Sequence, residues 1–263
     1  MSMREAYGAA LVALGKANEK VVALSADVSN SDFSFMFAEA FPHRFFNVGI
    51  AEQSLVDVAV GFAYTGRIPF ANTFAFLFAT RALEMVRTHL CYGRANVKLM
   101  GAYAGLSDSF DGPTHNSISD VSILRSLPHM TIVVPSDPVA VAKLLPKIAD
   151  WDGPVYCRLN RNEVPVLFDE SYAPEIGKAM VHRTGNDLTL ICAGLMVSRC
   201  LTAADQLAEA HAQRLVAGKE RRDDSVGELA RFGESHVPEE GEEIAVAHRA
   251  LRDGVVPCDA AER

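Results

Sequence analysis

Glu52 is the residue with the clearest chemical potential, an acid in the otherwise apolar, backbone-tight run Asn47-Val48-Gly49-Ile50-Ala51-Glu52-Gln53. A carboxylate in that setting must be paired, exposed or put to use. It can open a helix, where the macrodipole favours negative charge in the first turn. It can also lie buried and protonate or hydrogen-bond a heterocycle. Three other positions invite the same double reading. Asp27 closes the run VVALSAD, where an Asx turn or a helix cap accounts for an acid as well as a ligand contact does. Phe74 follows IPFANT and reads as a core residue or as a stacking aromatic. His115 ends DGPTH, and a lone loop histidine is ordinarily solvated or capping.

These residues sit at the ends of a regular alternation. From Met3 to about Phe168, short β-branched apolar runs alternate with helical periodicity, which predicts an α/β fold with a parallel sheet flanked by helices. Strands are expected in VVALSAD, RFFNVG, IPFANTF, VKLMGAY, TIVVPSD and PVYCRLN, and helices from near Met3, Ala51, Phe78, Ser117 and Pro138. Ligands of such sheets bind beyond the carboxyl ends of the strands. A linker, RNEVPVLFDESYAPEIGK, leads to NDLTLICAGLMVSRCLTAADQLAEA, read as the strand, turn and helix that begin a second α/β domain. The expected division is 1–170 for the first domain, 171–210 for the linker and an incomplete second domain, and 211–263 for a charged tail. About two residues in five of that tail are charged, so it is expected to be poorly ordered or weakly helical, with IAVAHRAL as its one short helix.

A chain of 263 residues, 49% hydrophobic and 22% charged, can bury a sizeable core in one large domain or two. A net charge of −8 without clustered Lys and Arg argues against non-specific nucleic-acid binding. Cys91, Cys157, Cys192, Cys200 and Cys258 are scattered with no CxxC pair, so neither a disulfide framework nor a zinc site is indicated, and core thiols of a reducing compartment are expected. The N-terminal stretch lacks the basic and apolar regions of a secretory signal, which predicts a cytoplasmic protein. The most apolar stretch, TFAFLFATRALEMVRTHL, is interrupted by Arg81, Glu84 and Arg87 and falls short of the ~18 to 20 apolar residues of a membrane span, so no membrane is expected as a partner.

Taken together, NVGIAEQ preceded by FPHRFF, TF at a strand end, and DGPTH after a glycine-containing loop resemble the pyrimidine-binding half of the transketolase family. The resemblance covers roughly Met3 to Asp169 and extends more faintly to about Ala210. It implies a thiamin diphosphate-binding fold and a role for each candidate. Glu52 falls where the family hydrogen-bonds N1′ of the aminopyrimidine, favouring the imino tautomer that activates thiazolium C2, while the protein supplies orientation and electrostatics. Phe74 resembles the aromatic packed on the pyrimidine, Asp27 the acid near the cofactor, and Leu77 stands where the family often has a second aromatic. His115 resembles the histidine that contacts substrate near C2, and Asp111 the acid that reads the donor's hydroxyl configuration. Arg4 and Ser31 fall where the family holds a sugar phosphate. Two further phosphate contacts do not carry over, since the expected histidine is Tyr103 and the arginine expected before Pro135 is Val134. A phosphate needs several charge-assisted donors, so this departure weakens the case for an aldose phosphate acceptor.

The family also needs a diphosphate-binding domain, with a GDG motif and a later Asn that hold magnesium and the pyrophosphate. DG occurs here in SFDGPTH, WDGPV and RDGVV, never in that setting. The resemblance therefore implies a split transketolase acting on a small-molecule ketose. This chain would be its C-terminal, pyrimidine-binding subunit. A separate diphosphate-binding N-terminal subunit would hold most of the Mg2+, with two such pairs in a heterotetramer. The rival readings are a β-type subunit of a 2-oxo acid dehydrogenase, passing a two-carbon unit to a lipoyl carrier, and a truncated non-catalytic assembly subunit. After Ala210 the charged stretch replaces the rest of the family's third domain, through loss of that domain or a shifted reading frame.

Overall fold

Six short, largely apolar runs pair into one sheet: β1 (Val21–Ser25), β2 (Phe45–Asn47), β3 (Ile68–Phe74), β4 (Lys98–Ala102), β5 (Thr131–Val133) and β6 (Val155–Arg158). This computed structural model describes residues 1–218 other than 109, 186 and 187, and only the backbone of 211–218. All five strand pairs are parallel, in the order β2-β1-β3-β4-β6-β5. Each of the six strands expected before Phe168 is present, and most end short of the polar residues that follow them. Asp27 and Tyr103 thus stand just beyond the ladder at the carboxyl edge.

Both faces of the sheet are apolar, as a parallel sheet requires. Val22 and Leu24 of β1 pack with Leu55, Phe78 and Leu99, while Val21 and Ala23 pack with Tyr7, Leu11 and Leu144. The second set is covered by α1 (Met3–Ala17), α3 (Phe35–Ala40) and α8 (Pro138–Asp150), with α2 (Ser29–Asp32) beside them. The first set is covered by α4 (Glu52–Tyr64), α5 (Ala75–Ala79), α6 (Leu83–Met85), a π-helical turn (Val86–Tyr92) and α7 (Asp120–Leu124). One polar residue in the sheet centre is fully paired. Asn72 accepts from the Tyr7 hydroxyl at 2.5 Å and donates to the carbonyls of Leu24 and Phe70 at 2.8 and 2.9 Å.

Two local devices set where α1 begins and how closely it packs. Ser2 Oγ accepts from Glu5 N at 3.3 Å while Glu5 Oε2 accepts from Ser2 N at 2.6 Å, a capping box that fixes the start of the helix and hence the position of Arg4. At Gly8 a Cβ would lie 2.6 Å from the Phe33 carbonyl, so only glycine lets α1 approach the turn after α2.

Beyond β6 the chain is fastened by Asp137. Its Oδ1 caps α8 through Ala140 N at 2.6 Å, and its Oδ2 accepts from Leu167 N and Phe168 N at 2.7 and 3.0 Å. The strand expected in NDLTLICAGL does not form among the described residues. Leu188, Leu190 and Ile191 are 65%, 42% and 92% exposed, with no ladder partner beside them. Strand propensity alone leaves backbone groups unpaired, so such a segment needs a neighbouring strand before it becomes regular. The helix expected next does form, as α9 (Met196–Gly218), and it runs past Ala210. IAVAHRAL and Cys258 lie outside the described residues. Cys91 and Cys157 are buried, and burial pushes both thiols up to about 12, whereas Cys192 and Cys200 are partly exposed. Among the described residues no helix is long and apolar enough to cross a membrane.

Candidate active site

The loop that delivers Glu52 is tied at the ends of β1 and β2. Asn47 Nδ2 donates to Asp27 Oδ1 at 2.8 Å and Asn47 Oδ1 accepts from Gly49 N at 2.9 Å. Asp27 and Gly49 both adopt positive φ, 63° and 77°, so the chain turns sharply twice before α4 starts. Glycine meets the second turn without strain, and Asp is among the few other residues that tolerate the first. Asp27 itself is exposed and serves this turn.

Glu52 is the first residue of α4 and only 1% exposed, so the helix-opening and buried-acid readings both describe it. Its Oε2 accepts from Arg81 Nη1 at 2.9 Å, whereas its Oε1 accepts no hydrogen bond from the described residues. Arg81 had no assigned role in the sequence, where it only interrupts an apolar helical stretch.

A second group gathers at the ends of β3, β4 and β6. Phe74 closes β3 and stacks on Tyr103, with ring centroids 4.7 Å apart and planes at 28°. His115 meets the Phe74 ring edge-on at 5.1 Å and lies 5.8 Å from Phe76. Leu77 is buried in α5, so Phe76 is the neighbour of His115 in that stretch. Asp111 is exposed in the same loop, and His115 Nδ1 lies 3.0 Å from Thr114 Oγ1. The loop is anchored from below. Ser117 N donates to Gly105 O at 2.8 Å, and Arg158 Nη2 donates to Ser117 O at 3.1 Å. Arg158 Nε and the Tyr156 hydroxyl both donate to Asp120 Oδ2, at 2.8 and 2.7 Å.

Because all strands run the same way, both groups occupy one edge of the sheet. β1 lies between β2 and β3, so the connections diverge at β1 and β3, the position where open α/β sheets take ligands. A flat heterocycle needs an aromatic face and a polar partner at its edge. Phe74 with Tyr103 offers the face, and the unengaged Oε1 of Glu52 offers the partner. Thr73 Oγ1, one residue before Phe74, is also buried without a hydrogen-bond partner among the described residues. The residues present therefore fit a heterocyclic ring.

Arg4 and Ser31 stand together, with Arg4 Nη1 donating to the Ser31 carbonyl and Arg4 Nε donating to the Arg161 carbonyl at 3.2 Å. Both arginines flank Tyr103, each guanidinium 5.2 Å from its ring centroid. They line a cavity of about 350 Å³ together with Phe33, Glu5 and Glu163. Arg161 is a second guanidinium beside Arg4 that the sequence reading, which found Val134 where an arginine was expected, did not name. Val134 follows β5 at the sheet edge, whereas β6 inserts between β4 and β5 and brings the residues after it against Tyr103. The signal was the second arginine of the run RLNR, just past the last strand.

Asp32, next to Ser31, is fully buried, and burial pushes its carboxyl from 3.8 up to about 7 against the opposing hydrogen bond from Ser34 N at 2.8 Å. The folded state therefore binds this proton more tightly than the unfolded chain does. The stabilisation is complete below about pH 4 and is lost as pH rises through about 7, on the order of 4 kcal/mol in all. Asp32→Asn keeps an acceptor for Ser34 N and removes the loss. Urea denaturation at about pH 4 and about pH 8 should show a stability drop in the parent that the variant lacks. Equal drops in both proteins would refute the assignment.

With this geometry in place, comparison with known proteins is informative. The family description "Transketolase, pyrimidine binding domain" matches residues 1–166, and "Transketolase, C-terminal domain" matches residues 177–216. A putative transketolase C-terminal section from Methanocaldococcus jannaschii is 39% identical over 209 residues, covering 79% of this chain and 66% of that protein. A 6-deoxy-6-sulfo-D-fructose transketolase subunit from Clostridium sp. (strain MSTE9) is 35% identical over 206 residues, covering 78% and 64%. Among solved structures, a split gene transketolase described as an inactive beta4 tetramer superposes with a TM-score of 0.73 at 43% identity, covering 80% of this chain and 68% of that one. The chain thus spans slightly less than two thirds of these two relatives' length.

Proposed function

The chain belongs to the transketolase family, and from that premise we propose that it is the pyrimidine-binding subunit of a split transketolase, transferring a two-carbon ketol unit from a ketose to an acceptor. The observation that carries this reading is the buried Glu52 at the start of α4, with Phe74 and His115 at the same edge of the sheet. Transketolases depend on thiamin diphosphate, which when bound supplies the carbon nucleophile and the electron sink. In this reading Glu52 holds a proton at the ring nitrogen through Oε1 while Arg81 fixes Oε2. Phe74 stacks on the ring, with Leu77 buried in the helix that follows it and Asp27 setting the loop. His115 positions the substrate carbonyl and Asp111 reads the donor's hydroxyl. Arg4, Ser31 and Arg161 receive the far end of the sugar.

The magnesium and diphosphate are assigned to a separate N-terminal subunit, a reading supported by the likeness to a transketolase C-terminal section and to a split gene transketolase. Among the described residues no three His, Cys, Asp or Glu side chains stand together as a metal site. Ile50, Leu106, Phe110 and Ile118, 74%, 69%, 85% and 80% exposed, lie in loops after β2 and β4 beside the site. An apolar rim of this kind suits burial by another subunit, and two such pairs would give a cytoplasmic heterotetramer. Residues 1–170 form the pyrimidine-binding domain and 171–210 the start of a C-terminal-like domain. The 2-oxo acid dehydrogenase reading is not favoured, because the matches above are all to transketolases.

Purified alone, the chain should neither turn over a ketose donor nor hold thiamin diphosphate tightly. With a diphosphate-binding subunit, thiamin diphosphate and Mg2+, it should cleave xylulose 5-phosphate or xylulose but not pyruvate. Ketol transfer by the chain alone would refute the split-site reading, and use of pyruvate in place of ketoses would restore the rival.

A further inference from the structure

The cavity between Arg4 and Arg161 looks at first like a dianion site, but its acids say otherwise. Of its lining groups, Glu5 and Glu163 are carboxylates, and the Ser2 backbone and hydroxyl hold Glu5 below the usual carboxylate range. A third acid stands behind Arg161. Asp108, in the loop after β4, is 0% exposed, and its Oδ1 lies 3.4 Å from Arg161 Nη1.

That pair is incompletely satisfied. Neither oxygen of Asp108 accepts a hydrogen bond from the described residues, and the buried Nε of Arg161 has no acceptor among them. An acid buried at this cost makes sense only if its charge matters to Arg161, because an uncompensated buried carboxylate is expensive and a neutral residue would remove the penalty. Burial and the neighbouring Asp111 raise Asp108, whereas Arg161 and His115 oppose that shift.

We propose that Asp108 is a specificity-determining residue: it offsets Arg161 in the anion cavity, so that the site takes sugars whose far end is uncharged or singly charged in preference to phosphate dianions. This inference rests on the ketol-transfer reading for its substrate class. Its physical core, the weakening of dianion binding by one buried acid, is independent of turnover.

The test uses Asp108→Asn, which keeps the shape, and Asp108→Leu, which replaces the buried charge with an apolar group. In the complex with the diphosphate-binding subunit, kcat/KM is measured for D-xylulose 5-phosphate and for D-xylulose. Both variants should raise the phosphorylated-to-neutral ratio by about tenfold, as expected for removing one negative charge close to the ligand. In parallel, inorganic phosphate is titrated calorimetrically into the full chain, where both variants should bind it about tenfold more tightly than the parent. An unchanged or lowered ratio in active variants, or equal phosphate affinities, would overturn the proposal. If no complex turns over either sugar, the transketolase reading fails, and the phosphate titration still decides the charge argument.

Discussion

Glu52→Gln should lower ketol transfer by the reconstituted complex by about 10²- to 10⁴-fold, the usual worth of a positioned acid or base, while the protein stays folded. Gln has the same shape, and its carbonyl oxygen can still accept from Arg81 Nη1, now 2.9 Å from Glu52 Oε2. What the amide lacks is the charge that keeps a proton at a neighbouring ring nitrogen. Stacking on Phe74 and retention of the diphosphate by the partner do not depend on Glu52, so cofactor affinity should change far less than kcat. Steady-state kinetics at saturating cofactor, with thermal melting as a fold control, separate these effects. Near-normal turnover by the variant would remove Glu52 from its assigned role.

Asp120→Ala should cost about 3–5 kcal/mol of stability, the range for breaking a buried ion pair by removing one partner. Asp120 is 1% exposed and Arg158 19%, and the Tyr156 hydroxyl shares the same carboxylate oxygen. Truncation leaves a guanidinium and a buried phenol without their acceptor. Burial and Asp120 already hold the Tyr156 phenol well above its ordinary range, so it cannot ionise to escape. The consequence reaches the active-site loop, because Arg158 also holds the Ser117 carbonyl at 3.1 Å. Asp120→Asn, which keeps an acceptor, should lose much less. Urea denaturation measures both, and a loss below about 1 kcal/mol for the alanine variant would show that the network is dispensable.

Much of the architecture was legible because its causes are local. β1 reads as VVALS, apolar on both faces, and only a sheet covered on both sides accommodates that pattern. α8 announces itself through Asp137 as N-cap and Pro138 in its first turn. Glu52 was visible as an acid at a helix start, and DGPTH as a loop following a strand. The strand expected at the start of NDLTLICAGLMVSRCLTAADQLAEA did not form among the described residues for a non-local reason, since a strand is made by its neighbour as well as by its own residues.

What no reading of spacing could supply was pairing between segments far apart in the chain. Arg81 reaches Glu52 across 29 residues, Arg158 reaches Asp120 across 38, and Arg161 reaches Asp108 because β6 inserts between β4 and β5. The amino-acid sequence by itself determined the α/β alternation and the types of residue carried to the carboxyl edge, because periodicity and turn chemistry act within a few residues. Only the tertiary structure decided which charges meet there, because strand order is settled by packing over the whole chain. An acid's usefulness depends on the partner that folding places beside it.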